Sequence, residues 1–340
     1  MRTVTWERDS VKMIDQTSLP SRLAFVSYTK PSEVADAIRT MTVRGAPAIG
    51  VAAAMGVALA AVRSNAHTKE ELIKELDTAS ALLRSTRPTA VNLFWGIDRV
   101  LSKAEAATSV RIAKESMVSE VKRMEDEDVE VNRRLGNVGA DLVEDGDTIL
   151  TQCNAGALAT VGYGTALGVV RAAKEQGKLV KVLVPETRPA LQGSRLTAFE
   201  LVTDGIDCTV IADTAVGFVM SKGRVDKVIV GADRITRDGF VFNKIGTYQQ
   251  AVLAKRHRIP FYPAAPHSTF DLNHAHGGIV IEERSYDEVV KIRGRRIVPK
   301  GVPVLNPAFD ITPPGLVTAI VSDRGLINQP IAKNLDRVLS

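Results

Sequence analysis

Apolar residues change their period near the middle of the chain. Over 70–83 and again over 113–142 they return every three or four positions, the spacing of one helix face. A short strand-rich start precedes them, and the chain up to about Glu144 reads mainly as helices. Beyond it lie short β-rich runs, at 148–152, 180–184, 208–211, 228–230 and 261–264, separated by segments of helical length. That alternation predicts an α/β fold with a doubly wound, mainly parallel sheet of the Rossmann-like type. Gln176-Gly177 and Asp204-Gly205 supply helix stops between the runs, and Asp213-Thr214 supplies a helix start. The expected organisation is a smaller, mainly helical N-terminal domain over 1–125 that contributes phosphate-binding loops. A Rossmann-like catalytic domain is expected over 126–340, with the division inside or at the end of the 113–142 helical stretch.

The longest apolar run, 46–62, is dominated by alanine and glycine. It falls short of the roughly 20 residues that span a bilayer, so it reads as a buried helix and no membrane association is expected. The amino terminus is charged within its first ten residues and has no apolar h-region, which argues against a secretory signal. At 340 residues, 45% hydrophobic and 24% charged, the chain suits two ordinary globular domains. A net charge of +5 and a pI near 9.2 favour an anionic partner. Acidic and basic residues are interleaved and aromatics are only 5%, so no stacking platform for nucleic acid is visible. The expected partner is therefore a phosphorylated small molecule. Cys153 and Cys208 have neither metal-ligand spacing nor the number for a disulfide framework, which points to a reducing cytoplasm.

Three strand ends offer chemistry to one crevice, at the carboxy side of the sheet where open α/β folds bind ligands. The run Thr148-Ile149-Leu150-Thr151-Gln152 ends on Cys153 and opens on small residues that can start a helix. A helix amino terminus favours thiolate and apolar surroundings oppose it; many free cysteines are simply small buried hydrophobes. The second strand leads to Gln192. The third leads through Gly231-Ala232 to Asp233, which follows a fully apolar run and is poised for partial burial and the raised pKa of a general acid. The alternative is a capping or turn aspartate paired with Arg234 or Arg237.

Arg44-Gly45-Ala46-Pro47 joins an arginine and a glycine to a proline suited to the first helical turn, which makes either an anion site or an ordinary loop-to-helix junction. Arg87, beside Pro88, is a weaker candidate, with an extended turn expected there. Lys244 can hold phosphate as a point charge, against the default of a solvated lysine. Gly162-Tyr163-Gly164-Thr165-Ala166-Leu167-Gly168 imitates a dinucleotide fingerprint, but its final spacing is one residue too long and it falls within an expected helix. Its glycines read as helix-to-sheet packing. His267, Asp271, His274 and His276 crowd one segment but match no fixed zinc spacing, so no metal is expected.

Arg44-Gly45-Ala46-Pro47-Ala48-Ile49-Gly50, Cys153-Asn154-Ala155-Gly156, Glu186-Thr187-Arg188-Pro189, Gln192-Gly193-Ser194-Arg195, Gly231-Ala232-Asp233-Arg234, Asn243-Lys244-Ile245-Gly246-Thr247 and 306–313 together closely resemble the methylthioribose-1-phosphate isomerase family. Order and spacing agree as well as residue type, over nearly the whole chain. The resemblance implies an aldose-ketose isomerase that converts 5-methylthioribose 1-phosphate to 5-methylthioribulose 1-phosphate in methionine salvage. It also implies a cytoplasmic homodimer without metal or redox cofactor. It carries the catalytic thiol onto Cys153 and the catalytic carboxylate onto Asp233. Substrate binding falls on Arg44, Gly45, Ala46, Arg87, Gln192, Asn243 and Lys244. The histidine-bearing segment 267–278 takes no part in it.

By the same resemblance, related proteins include ribose-1,5-bisphosphate isomerase and a 5-deoxyribose-1-phosphate isomerase. They also include non-catalytic regulatory subunits of the eukaryotic translation-initiation guanine-nucleotide exchange factor. Retention of Cys153, Asp233 and both arginines points to catalysis. Phosphate on the anomeric oxygen blocks spontaneous ring opening, so ring C–O cleavage must be assisted and hydrogen moved from C2 to C1. Asp233, kept protonated, is expected to serve the ring oxygen, and Cys153 to shuttle a proton through a phosphoenolate. A direct hydride shift, with Cys153 only positioning, stays open.

Overall fold

The computed structural model describes residues 1–87, 90–292 and 294–339. Pro88 and Thr89, and with them the extended turn expected beside Arg87, lie outside the described residues. The chain opens with an antiparallel meander, β1 (Val4–Glu7), β2 (Ser10–Ile14) and β3 (Phe25–Tyr28). Five helices follow: α1 (Pro31–Arg39), α2 (Ala46–Arg63), α3 (Lys69–Arg84), α4 (Val91–Ala106) and α5 (Val110–Ala140). Helix α2 has the length and composition of a membrane span, yet 78% of it is buried inside the fold. A helix apolar on every side needs neighbours on every side, and α1, α3, α4 and α5 supply them. At the α2–α4 crossing, a Cβ added to Gly96 would lie 2.3 Å from the Gly50 carbonyl oxygen. The two backbones touch, which sets the spacing between the loop before α2 and the loop before α4.

Helix α5 serves two cores. Up to Met124 it packs with β1, β2 and α2, and from Leu135 it packs with the second half of the chain. That half runs β4 (Thr148–Leu150), α6 (Ala166–Glu175), β5 (Lys181–Pro185), α7 (Ala198–Thr203), β6 (Asp207–Ile211), α8 (Val216–Ser221), β7 (Lys227–Val230), β8 (Arg234–Thr236), β9 (Val241–Lys244), α9 (Thr247–His257), β10 (Phe261–Pro263) and β11 (Phe270–Asp271). After α10 (Asp287–Val290) come β12 (Lys291–Ile292), β13 (Arg295–Arg296), β14 (Phe309–Thr312), β15 (Ala319–Ser322), β16 (Gly325–Asn328) and α11 (Ile331–Leu339).

The five β-rich runs of the sequence are the five strands of one parallel sheet, in the order β10-β7-β4-β5-β6. Its central strands are buried on both faces, which is why they read as continuous apolar runs. The chain winds outward from β4 to β6, then crosses back to β7 on the other side of β4. The crevice between the carboxy ends of β4 and β7 is thus the topological switch point, the place where such sheets bind ligands.

Two local expectations differ from the structure. No helix begins after Cys153: residues 151–165 form a loop with one 3-10 turn at Ala157–Ala159, and α6 starts only at Ala166. Buried Glu200 holds that loop by accepting from the Ala157 and Leu158 amides at 2.7 and 3.0 Å, so tertiary contacts replace helix formation. Gly162 and Gly164 lie in this loop rather than in a helix; Gly168 lies in α6, where a Cβ on Gly136 of α5 would meet its carbonyl oxygen at 2.7 Å. Second, the polar turn expected after Asp233 is a hairpin: β8 and β9 pair across Asp238-Gly239. Strand β9 also pairs with β14, setting Phe309 opposite Lys244 and Asp310 opposite Asn243.

Candidate active site

Arg44, Gly45, Ala46, Arg87, Cys153, Gln192, Asp233, Asn243 and Lys244 come from separate stretches of chain, and all line one cavity of about 740 Å³ at the switch point. Cys153, buried, follows β4 by three residues and has φ 57°. Its amide donates to Thr187 Oγ1 at 3.0 Å and its carbonyl accepts from Thr197 Oγ1 at 2.6 Å. Thr187 itself has φ 62°, a poor conformation for a β-branched residue. Asp213 holds it there, accepting from the Thr187 and Arg188 amides at 2.8 and 2.7 Å. Such over-determined strain is commonly found where geometry serves function. Gln192 precedes a π-turn at Gly193–Thr197, and a Cβ on Gly193 would meet the Pro185 carbonyl oxygen at 1.8 Å.

Asp233 follows β7 by three residues, and its amide donates to the Phe242 carbonyl at 2.8 Å across the hairpin. The hairpin therefore sets the acid beside Asn243 and Lys244, and Asn243 Nδ2 is fixed on Thr247 Oγ1 at 2.9 Å. Burial raises the pKa of Asp233; Lys244, Arg87 and Arg44 oppose the rise and Glu282 reinforces it. Burial lowers the pKa of Lys244, against the pull of Cys153 and Asp233. Lys244 Nζ sits 5.0 Å from the centre of the Phe309 ring.

Arg44 forks onto Asn154, with one arm 2.6 Å from the side-chain oxygen and the other 2.8 Å from the carbonyl. Asn154 in turn donates to Glu200 at 2.8 Å, and Glu200 accepts from Arg171 at 2.7 Å. Gly45 caps α2 with φ 99°, and a Cβ there would lie 2.4 Å from the Ala159 Cα. Only glycine fits both demands. The first turn of α2 carries no acidic residue, so its positive end opens on the cavity. Arg87 differs from Arg44: it pairs with Glu282 at 2.9 Å. Among the described residues, no carboxylate lies within ion-pair distance of Arg44 or Lys244.

A second compartment of about 540 Å³ adjoins the first through Gly45, Ala46, Arg87, Asp233 and Phe309. Ile49, Ala90, Phe242, Ile279, Val280 and Ile281 make half of its wall. The histidines of 267–276 stand in separate pairs: His267 with Asp323 at 3.0 Å, His274 with Asp271 at 2.9 Å and His276 with Asp238 at 2.5 Å. Among the described residues no group of three metal-ligating side chains converges. Sequence reasoning does not single out Asn154, Glu200, Glu282, Arg284 or Phe309. Asn154 and Phe309 lie inside motifs that the sequence displays, whereas Glu282 and Arg284 sit in an aperiodic polar stretch without local signal. Chemically, the cavity joins a cationic end, an acid held toward its neutral form, a thiol and an apolar end.

The sequence profile of the Initiation factor 2 subunit family matches residues 42–329. The methylthioribose-1-phosphate isomerase of Carboxydothermus hydrogenoformans is 51% identical over 342 residues, covering 99% of either chain. The solved 5-methylthioribose 1-phosphate isomerase of Pyrococcus horikoshii superposes with a TM-score of 0.92 at 48% identity, covering 99% of this chain and 95% of that one. A structure from Archaeoglobus fulgidus, described as translation initiation factor eIF-2B, subunit delta, superposes with a TM-score of 0.89 at 53% identity, covering 100% and 99%. With its profile matched over most of its length and relatives near half identity end to end, this chain belongs to the Initiation factor 2 subunit family.

Proposed function

We propose that the chain isomerises 5-methylthioribose 1-phosphate to 5-methylthioribulose 1-phosphate, an aldose-ketose conversion in methionine salvage. The observation that carries this reading is the polarity split of the cavity. Arg44, Lys244 and the open start of α2 form an anion-binding end, and the wall of Ile49, Phe242 and 279–281 forms an apolar end. A sugar with one phosphate and one thioether fits that split. The full-length relatives named above support it. Asn243 and Gln192 are the neutral groups suited to sugar hydroxyls. The N-terminal part, 1–125, lends Arg44, Gly45, Ala46 and Arg87, and 126–340 lends the rest. The active unit is a cytoplasmic homodimer.

Asp233 gives its proton to the ring oxygen as the C1–O bond breaks, leaving an oxocarbenium at C1. Cys153 Sγ takes the C2 proton, and the C–H pair becomes the C1=C2 bond of a phosphoenol. The C2 hydroxyl proton then returns to Asp233 as the ketone forms, and Cys153 delivers its proton to C1. A hydride shift from C2 to C1 would close the same cycle without Cys153 carrying hydrogen. Solvent deuterium at C1 of the product is expected from the shuttle; its complete absence would assign the hydride route.

The decisive assay compares kcat/KM for three sugars. Methylthioribose 1-phosphate should rank first. The 5-deoxy sugar loses about 1–3 kcal/mol of apolar contact and ranks second. Ribose 1,5-bisphosphate should rank last, and a bisphosphate ranked first would overturn the reading.

A further inference from the structure

The two compartments differ in how their cations are balanced. Arg87 borders both, and Arg234 borders only the apolar one. One oxygen of Glu282 lies 2.9 Å from Arg87, and the other lies 3.3 Å from Arg284. Arg284 ends on Glu288 at 2.6 Å, so the row Arg87, Glu282, Arg284, Glu288 alternates in sign and sums to zero. Arg234 has Asp271 at 3.4 Å. Both guanidinium groups at the apolar compartment thus have a carboxylate beside them, in contrast to Arg44 and Lys244. Glu282 also follows directly on 279–281, which wall the compartment.

We infer that Glu282 is a specificity-determining residue: by neutralising Arg87 it makes the apolar compartment reject sugar phosphates that carry a second anionic group at C5. This rests on the proposed isomerase reading, in which C5 points into that compartment. A C5 phosphate would shed its hydration there and find Arg87, the cation it would need, already paired with Glu282. Rejection by an unfavourable charge discriminates where added apolar contact discriminates little. A methylthio or methyl group meets only the apolar wall and feels none of this. At Asp233, which lines the compartment, Glu282 acts against Arg87 and offsets part of its larger effect.

Glu282→Gln keeps the shape and leaves the charged row at net +1. Wild type and E282Q are to be compared on methylthioribose 1-phosphate, 5-deoxyribose 1-phosphate and ribose 1,5-bisphosphate. The ratio of kcat/KM for bisphosphate to that for the methylthio sugar should rise at least about tenfold, the worth of one new charge-assisted hydrogen bond. The deoxy-to-methylthio ratio should hold, because both sugars are neutral at C5, even though all rates fall as Arg87 loses its partner. E282A carries the same expectation if the glutamine variant does not fold. An unmoved bisphosphate ratio, or a parallel rise in both ratios, overturns the role of Glu282. Wild-type preference for the methylthio sugar with such a result overturns this inference alone. A wild type that prefers the bisphosphate overturns the isomerase reading and this inference together.

Discussion

Replacing Arg44 with lysine keeps a positive charge and removes the fork onto Asn154. The two bonds measure 2.6 and 2.8 Å, and Asn154 is 3% exposed, so both acceptors are cut off from water. An ammonium in that place reaches one acceptor at most. Stranding the other costs about 1–3 kcal/mol, and the weakened charge-assisted geometry brings the expected loss to about 2–4 kcal/mol. Total stability of a domain is only about 5–15 kcal/mol, so the shift is well within reach of urea unfolding. Arg44→Met strands both acceptors and also removes the charge. R44M should therefore lose more stability than R44K, and KM for methylthioribose 1-phosphate should rise about tenfold further in R44M than in R44K. An R44K protein with wild-type unfolding midpoint and KM would refute the Asn154 fork as a positioning device. Equal KM values in R44K and R44M would refute Arg44 as the phosphate's cation.

Cys153→Ser and Asp233→Asn should each keep the fold and lose roughly 10²-fold or more in kcat, the usual worth of general acid-base catalysis; near-wild-type turnover in either purified variant would remove that residue from the mechanism. Burial raises the Asp233 pKa, so the active protonated form is complete at low pH and is lost as pH rises through the folded value. Lys244→Met removes the first of the cations that oppose this rise, so the alkaline limb of kcat should move to higher pH; a limb that stays in place would assign it to another group. Gly45→Ala adds a Cβ 2.4 Å from the Ala159 Cα at φ 99°, and should cost about 2–5 kcal/mol from left-handed strain and overlap together; wild-type thermal stability and KM would show that the α2 start tolerates displacement.

Much of the architecture is legible in the residues because its signals are local. The apolar runs at β4, β5, β6, β7 and β10 have strand length and helical spacers, which leaves a parallel sheet and its switch point as the consistent solution. The Ala-Gly run of α2 reads as a buried helix for a similar reason. The hairpin of β8 and β9 has a local code as well, in Asp238-Gly239, a strong turn signal that is easily passed over beside the polar residues after Asp233.

The environment of each functional group was decided elsewhere. Cys153 owes its left-handed backbone to Thr187 and Thr197, and the loop that follows it is held by Glu200 rather than by helix propensity. Arg87 and Glu282 are 195 positions apart, and no period or turn code links them. Residue type along the chain determined which chemistry was present: a thiol, an acid and cations at strand and helix ends. Whether a cation stays available or is neutralised depends on contacts made only after long loops close, so the division between an anion-binding end and a neutral end belongs to the tertiary structure alone.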